Sequence, residues 1–349
     1  MSYQQFSELI DTAALTRFLR EHTPGDDLPL SIQKHEAGYS NETFYVTRGE
    51  QRWVLRRPPR GPLLPTAHDV LREFRVMSAL QNAAARVPRT VIACEDPEVI
   101  GAPFYLMERV DGEVVREELP AVFESGQERR RLGEELIDAL IELHAVDWRA
   151  AGLGNLGRPQ GYLERQLRRW SGQLDLTLPQ TRPLAGIAEV TDWLRQHLPE
   201  SGTPAIAHGD YKLDNVIFSA SNPARLAAIL DCEMATIGDP LTDLAWCLSY
   251  WGPTGDPIEQ MPPGTNVVTQ AACFHSREEL LARYEERSRR PMQNFQFYFL
   301  FAVWKYAIII EGLYMQYLAG TAANQKAAEI AWWTPLAIER MHRIMAGEL

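Results

Sequence analysis

The stretch His208-Gly209-Asp210-Tyr211-Lys212-Leu213-Asp214-Asn215 sets an acid, a cation and an amide at the offsets a phosphoryl-transfer loop uses. In such a loop a carboxylate takes the proton of the attacking hydroxyl, and an amide five residues on holds a magnesium ion. Asp210 and Asn215 have that separation, with Lys212 between them. The protein's task in this chemistry is to position groups and to offset developing negative charge. Lys212 suits the second task; its other account is an ordinary solvated loop lysine. His208 is better placed to hydrogen-bond backbone and fix the loop than to act as a base.

Val216-Ile217-Phe218 is a short apolar run that reads as a buried strand, so the polar groups lie on a loop anchored by a strand. Ala227-Ala228-Ile229-Leu230 reads as a second strand, and Asp231 stands at its C-terminal end. A carboxylate there can share a metal with the Asn215 amide and bridge it to nucleotide phosphates. Magnesium takes few protein oxygens beside phosphate and water, so one Asp and one Asn suffice. Either acid alone reads equally as a turn residue; the ordered set is what points to chemistry. Glu233 lies two residues further on, either near the metal or exposed.

These motifs give the segment 207–251 a resemblance to the aminoglycoside phosphotransferase and choline kinase superfamily, whose fold is protein-kinase-like. Its pattern is H-G-D-x-x-x-x-N, a strand ending in Asp, and then a Gly-Asp…Asp-Leu-Ala run, here Gly238-Asp239-Pro240-Leu241-Thr242-Asp243-Leu244-Ala245. The resemblance implies Asp210 as catalytic base, Asn215 and Asp231 as magnesium ligands, and Asp243 as a buried carboxylate bracing the loop. Capping of the apolar helix that follows is an equal account of Asp243. Val54-Leu55-Arg56-Arg57-Pro58-Pro59-Arg60-Gly61-Pro62-Leu63-Leu64-Pro65-Thr66-Ala67-His68 and the loop at 208–215 further resemble the kinase-like segment fused to certain acyl-CoA dehydrogenases. That implies a hydroxylated acyl group as acceptor, free or as its coenzyme A thioester.

The elements needed to hold such a site can be read upstream. Residues 7–20 suggest an amphipathic helix, with Leu9, Leu15, Phe18 and Leu19 apolar. Strands are expected at 31–36, 43–47, 53–56, 90–93 and 104–107. A helix is expected to begin at Thr66 as N-cap, with Asp69 three residues on and Val70, Leu71, Phe74, Met77 and Leu80 as its apolar face. The expected fold class is therefore α+β and bilobal. Residues 1–108 would form a small antiparallel-sheet lobe with one main helix, and 109–349 a larger, mostly helical lobe.

Within the small lobe, Gly38, Ser40 and Asn41 occupy the place of a phosphate-covering turn, whose N–H groups and Ser40 hydroxyl can donate to phosphate oxygens. A plain hairpin turn is the competing account. Kinases end their third strand in a lysine that pairs the phosphates and a helix glutamate. Here Arg56 and Glu73 take those places, and Arg57 competes for the register, with strand alternation favouring Arg56. Arginine would substitute a planar fork for a point charge. Glu108 and Val110 would supply the hinge backbone that meets a nucleotide base. Adenosine triphosphate is implied by the resemblance, and guanosine triphosphate stays open.

The chain has 349 residues, 45% hydrophobic and 23% charged, which suits a folded protein of two lobes. A net charge of −11 argues against duplex nucleic acid as partner. Cys94, Cys232, Cys247 and Cys273 are widely spaced, which speaks against a disulfide framework or structural zinc and fits a reducing cytoplasm. The first residues carry no signal-peptide pattern. Residues 295–318 are apolar enough to raise a membrane helix, but Gln296, Lys305, Glu311 and Gln316 favour a buried core helix.

The acceptor side is least legible. Tyr250 and Trp251, followed by a long irregular connection to about Gln270, are candidates for an acceptor pocket or for the core. The insert 148–178 is a second candidate border. The expected activity is ATP- and magnesium-dependent transfer to a small-molecule hydroxyl. The competing classes are a non-catalytic nucleotide-binding module and an aminoglycoside or amino-alcohol kinase. Oligomeric state is open.

Overall fold

The computed structural model describes residues 9–25, 28–35, 41–59, 69–252, 261, 263–321 and 326–348. The first helix, α1 (Thr12–His22), starts at a cap supplied by Asp11, whose side chain accepts from the Ala14 N–H. It therefore begins five residues later than the apolar pattern suggests, because the cap and not the first apolar residue sets the start. Strands β1 (Leu30–Lys34), β2 (Glu42–Arg48), β3 (Gln51–Arg57), β4 (Thr90–Cys94) and β5 (Phe104–Glu108) form one antiparallel sheet in the order β1-β2-β3-β5-β4.

Alternation along β3 sorts its side chains. Trp53 and Leu55 join Phe44 and Val46 in an apolar layer with Leu15 and Leu19 of α1. Val54 faces the other way and packs with helix α2 (Val70–Asn82). Arg56 shares the Val54 side, while Arg57 turns to the α1 side and donates to the carbonyls of Leu9 and Ile100. The N-cap of α2 is Asp69, which accepts from the Arg72 N–H; Thr66, expected in that role, lies outside the described residues. Asp69 is the last residue able to cap before the apolar face begins.

The remainder is helical apart from short hairpins. The helices are α3 (Gly126–Ala145), α4 (Tyr162–Thr177), α5 (Ile187–Gln196), α6 (Leu241–Tyr250), α7 (Arg277–Ser288), α8 (Phe295–Leu318), α9 (Lys326–Ile330) and α10 (Trp333–Met345). Strands β6 (Ala205–Ala207) and β9 (Thr236–Gly238) pair with each other, as do β7 (Val216–Phe218) and β8 (Leu226–Ile229). Helix α8 is apolar on nearly all faces because it is surrounded by α4, α6 and α10. By length and composition it could cross a membrane, yet 72% of its most apolar window is buried inside the fold.

One apolar cluster crosses between the lobes. Val70, Val76, Met77 and Leu80 of α2 belong to the same buried group as Ile229 and Cys232 beside the candidate metal residue. Arg72, also on α2, donates to the backbone carbonyls of Glu233 and Ala235.

Candidate active site

The loop between β6 and β7 is held by backbone bonds to one buried carboxylate. Asp243 Oδ2 accepts from the His208 N–H at 2.5 Å, and Oδ1 from the Gly209 N–H at 2.8 Å. Its third donor is His144 Nε2 at 3.3 Å, while the other His144 nitrogen meets the Tyr284 hydroxyl at 2.7 Å. Burial pushes the Asp243 carboxyl up, but His144, His208 and the Gly209 N–H together hold it below its ordinary value. The cap position of helix α6 is Pro240, so Asp243 lies inside the first turn and does not cap it; it braces the loop between β6 and β7. Gly209 has φ 87°, and a Cβ there would sit 2.9 Å from Met234 Cβ and 3.0 Å from its carbonyl oxygen. Only glycine fits this turn.

His208 is a structural ring. Its Nδ1 accepts the Asp210 N–H at 3.2 Å and Nε2 meets the Leu230 carbonyl at 2.8 Å. A carbonyl needs a donor, so the proton sits on Nε2 and no free ring nitrogen remains for base chemistry.

Asp210 is fixed at both oxygens. Oδ1 accepts from Trp246 Nε1 at 2.7 Å, and Oδ2 from Asn215 Nδ2 at 2.8 Å. The same Asn215 nitrogen donates to the Asp210 carbonyl at 2.8 Å, which directs the amide oxygen away from Asp210. Lys212 Nζ lies 4.0 Å from Asp210 Oδ1 and 4.9 Å from the centre of the Tyr250 ring. It is packed beside the acid and is not a freely solvated loop lysine.

Asn215 also carries the link to the second acid. Its carbonyl accepts from the Leu230 N–H at 2.8 Å, so Asp231 follows directly beside it. Asp231 has φ 62° and ψ 56°, a left-handed conformation that costs a non-glycine residue about 1 kcal/mol or more. Burial of the Cys232 side chain behind it holds this turn in place.

Arg56 faces this corner. Its Nη1 donates to Glu73 Oε1 at 2.7 Å, across 17 residues, and to Asp231 Oδ1 at 3.2 Å; Nη2 is 3.9 Å from Glu233 Oε2. Burial pushes the Glu73 carboxyl up to about 7 against the pull of Arg56. Burial likewise lowers the Arg56 guanidinium, but Glu73, Tyr105, Asp231 and Glu233 more than reverse this, so it is held above its ordinary value. Asn41, expected on a phosphate-covering turn, donates to Glu233 Oε2 at 2.9 Å. Gly38 and Ser40 lie outside the described residues.

A cleft of about 480 Å³ opens between the sheet and the helical part. Asn41, Arg56, Glu108, Val110, Asn215 and Asp231 are among its lining residues. Glu73 supports it from behind, fully buried. The N–H groups of Glu108 and Arg109 are taken by Arg89 and Arg52 carbonyls, whereas Val110 N–H has no partner among the described residues.

Among the described residues no three His, Cys, Asp or Glu side chains converge as a metal centre. The donor set nevertheless suits magnesium in a nucleotide complex: one Asp carboxylate and one Asn amide oxygen, both hard oxygens on the same cleft. Asn41 Oδ1 and Arg56 Nε are buried there without partners among the described residues. Such atoms are rare in a finished interior and fit a wall that meets a polar ligand.

The model of the phosphotransferase enzyme family matches residues 31–286. The chain belongs to that family. It is 36% identical over 338 residues to acyl-CoA dehydrogenase family member 11 of Gallus gallus, covering 92% of this chain but 42% of that protein. The chain thus spans about two fifths of that relative's length. Among solved structures, a putative aminoglycoside phosphotransferase from Ralstonia eutropha JMP134 superposes with a TM-score of 0.80 at 31% identity, covering 95% of this chain and 98% of that one. A thermostable aminoglycoside phosphotransferase in ternary complex with ADP and hygromycin B shares the fold at TM-score 0.61 and 15% identity, covering 96% of this chain and 99% of that one. The bilobal kinase-like architecture expected from the sequence is therefore the family fold, and this member's small-lobe cation is Arg56.

Two residues of this site escaped sequence reasoning. Trp246 reads as one more apolar helix position, although it stands three residues after Asp243 and so shares its face. Lys305 of α8 reads only as an interruption of an apolar run. Its Nζ lies 3.4 Å from the Gly209 carbonyl and 4.0 Å from the centre of the Trp246 ring. Of the acceptor-side candidates, Trp251 is core, donating to the His275 carbonyl and packing on Phe274. Tyr250 is buried too, but its ring carries Lys212.

Proposed function

We propose that this chain transfers the γ-phosphoryl group of ATP to a hydroxyl of a small molecule, a hydroxyacyl compound or its coenzyme A thioester. The observation that carries the reading is the Asp210 carboxylate clamped between Trp246 and Asn215 beside a cleft walled by Arg56 and Asp231. In this reading Asp210 receives the proton of the acceptor hydroxyl on the oxygen edge that the two donors leave open. Lys212, already 4.0 Å away, offsets negative charge that develops on the transferring group. Arg56 orients the phosphates, and Glu73 fixes the guanidinium plane. The Glu108 carbonyl and the Val110 N–H meet the nucleotide base. Asn215 and Asp231 would hold magnesium, which when bound neutralises phosphate charge.

The family membership supports phosphoryl transfer in general; ATP, magnesium and the acyl acceptor are our reading. Residues 1–108 and 109–349 are proposed as the two lobes. A small-molecule hydroxyl compound, not nucleic acid or a membrane, is the proposed partner, in keeping with the net charge of −11 and a reducing, cytoplasmic setting.

The test is a nucleotide-dependent phosphorylation screen across hydroxyacyl thioesters, hydroxy acids, amino alcohols and aminoglycosides, with ATP and GTP in parallel. Normal nucleotide binding with no transfer to any acceptor would replace this reading by a non-catalytic binding module.

A further inference from the structure

Beside Asp210 the structure collects positive charge among aromatic rings. Lys305 Nζ lies 4.0 Å from the ring centre of Trp246 and 5.6 Å from that of Trp170. Trp246 is the same residue whose Nε1 holds Asp210. Trp246, Tyr250 and Tyr306 pack edge to face with centroids 5.2–5.8 Å apart. Lys212 rests on the Tyr250 ring at 4.9 Å. Arg169 on α4 adds a third positive charge near Lys305.

An aromatic niche of this kind is what binds ammonium groups of ligands. Here the protein's own ammonium fills it. Lys305 has three N–H donors, and its hydrogen-bond partner among the described residues is the Gly209 carbonyl at 3.4 Å. No carboxylate lies within 4.0 Å of it among the described residues. Asp210 is held by Trp246 and Asn215, and Asp243 is consumed by the loop N–H groups and His144. A half-buried ammonium with unfilled donors is costly unless an oxygen completes it.

We propose that Lys305 selects the acceptor: its ammonium meets a carboxylate or acyl carbonyl oxygen of the incoming hydroxyl compound, and the site rejects amino alcohols and aminoglycosides. The proposal rests on the transfer reading above for its location and adds the discriminating residue. Lys305 and Lys212 beside Asp210, with Arg169 near Lys305, repel a second ammonium, whereas an oxygen ligand completes the Lys305 donor set. Burial lowers the Lys305 ammonium to about 8, with Asp210 and Asp243 pulling it back up and Arg169 adding to the lowering, so the charged form still prevails at neutral pH.

The experiment measures binding by calorimetry with the site filled by a non-hydrolysable ATP analogue and magnesium. The probes are 3-hydroxybutyrate, its coenzyme A thioester and the matched amine 4-amino-2-butanol. Wild type is expected to bind the two acyl probes at least about tenfold tighter than the amine, a difference of about 1.4 kcal/mol. Lys305→Met should level the three, and Lys305→Glu should favour the amine, with nucleotide affinity and melting temperature showing that both variants are folded. In turnover the loss should fall on KM for the acyl probes more than on kcat. Amine binding as tight as acyl binding in wild type overturns the proposal, as does unchanged acyl affinity in both variants. Because binding is read directly, the expected order without any phosphate transfer would sink the kinase reading and leave the role of Lys305 standing.

Discussion

Trp246 donates its indole N–H to Asp210 at 2.7 Å, across 36 residues of chain. With Asn215 on the other oxygen, the carboxylate has one rotamer and one open edge. Asp210→Asn should therefore lower kcat by about a thousandfold or more while nucleotide affinity holds, since the base acts in the transition state. Trp246→Phe keeps the ring and deletes the donor, so a kcat loss of about tenfold with unchanged nucleotide affinity is expected. Steady-state kinetics beside nucleotide titration check both.

Asp231 stands at the cleft in a left-handed turn. Asp231→Ala removes the carboxylate and should weaken magnesium-nucleotide binding about tenfold or more. Thermal-shift titration with and without magnesium reads it. Equal binding by variant and wild type would falsify the assignment.

The Arg56–Glu73 pair is buried at 8% and 0% side-chain exposure, so removing one partner strands a charge. Arg56→Met should cost about 3–5 kcal/mol in urea unfolding. The double variant Arg56→Met, Glu73→Leu should recover much of that stability without recovering nucleotide binding. A double variant no more stable than the single one would show that the pair's carboxylate carries no burial penalty.

Lys305 gives a pH signature. Its folded-state value is depressed from 10.5 to about 8, so between those values the unfolded chain binds more protons and this group's contribution to stability rises with pH. Its penalty is fully present below about pH 8 and fades above it; the groups facing it are Asp210, Asp243 and Arg169, with Lys212 beyond. Lys305→Met should accordingly be more stable than wild type at pH 7 by at most about 3 kcal/mol, the gap narrowing toward pH 10. Urea midpoints across that range test the slope.

The candidate site loop was legible because its residues are local: Asp210, Asn215 and Asp231 sit on consecutive short elements, and β-strand alternation alone put Arg56 rather than Arg57 on the Glu73 side. What stayed hidden came from afar. Trp246 and Lys305 reach the loop from α6 and α8, where apolar periodicity marks core and says nothing about which core residue also donates to the acid. A lone lysine in an apolar helix was the available signal, since burying an ammonium requires something for it to face. The helix starts at Asp11 and Asp69 were blurred for a simpler reason: several nearby polar residues could cap, and sequence does not rank them.

Helix α2 carries Glu73, yet its apolar face packs in the same cluster as Ile229 and Cys232, and its Arg72 grips the carbonyls of Glu233 and Ala235. The glutamate, the arginine it holds and the metal-side acid thus ride on one mechanical unit. Switching by swinging this helix outward would tear apart a continuous interior. Any opening of the cleft that keeps this interior intact must leave α2 in place.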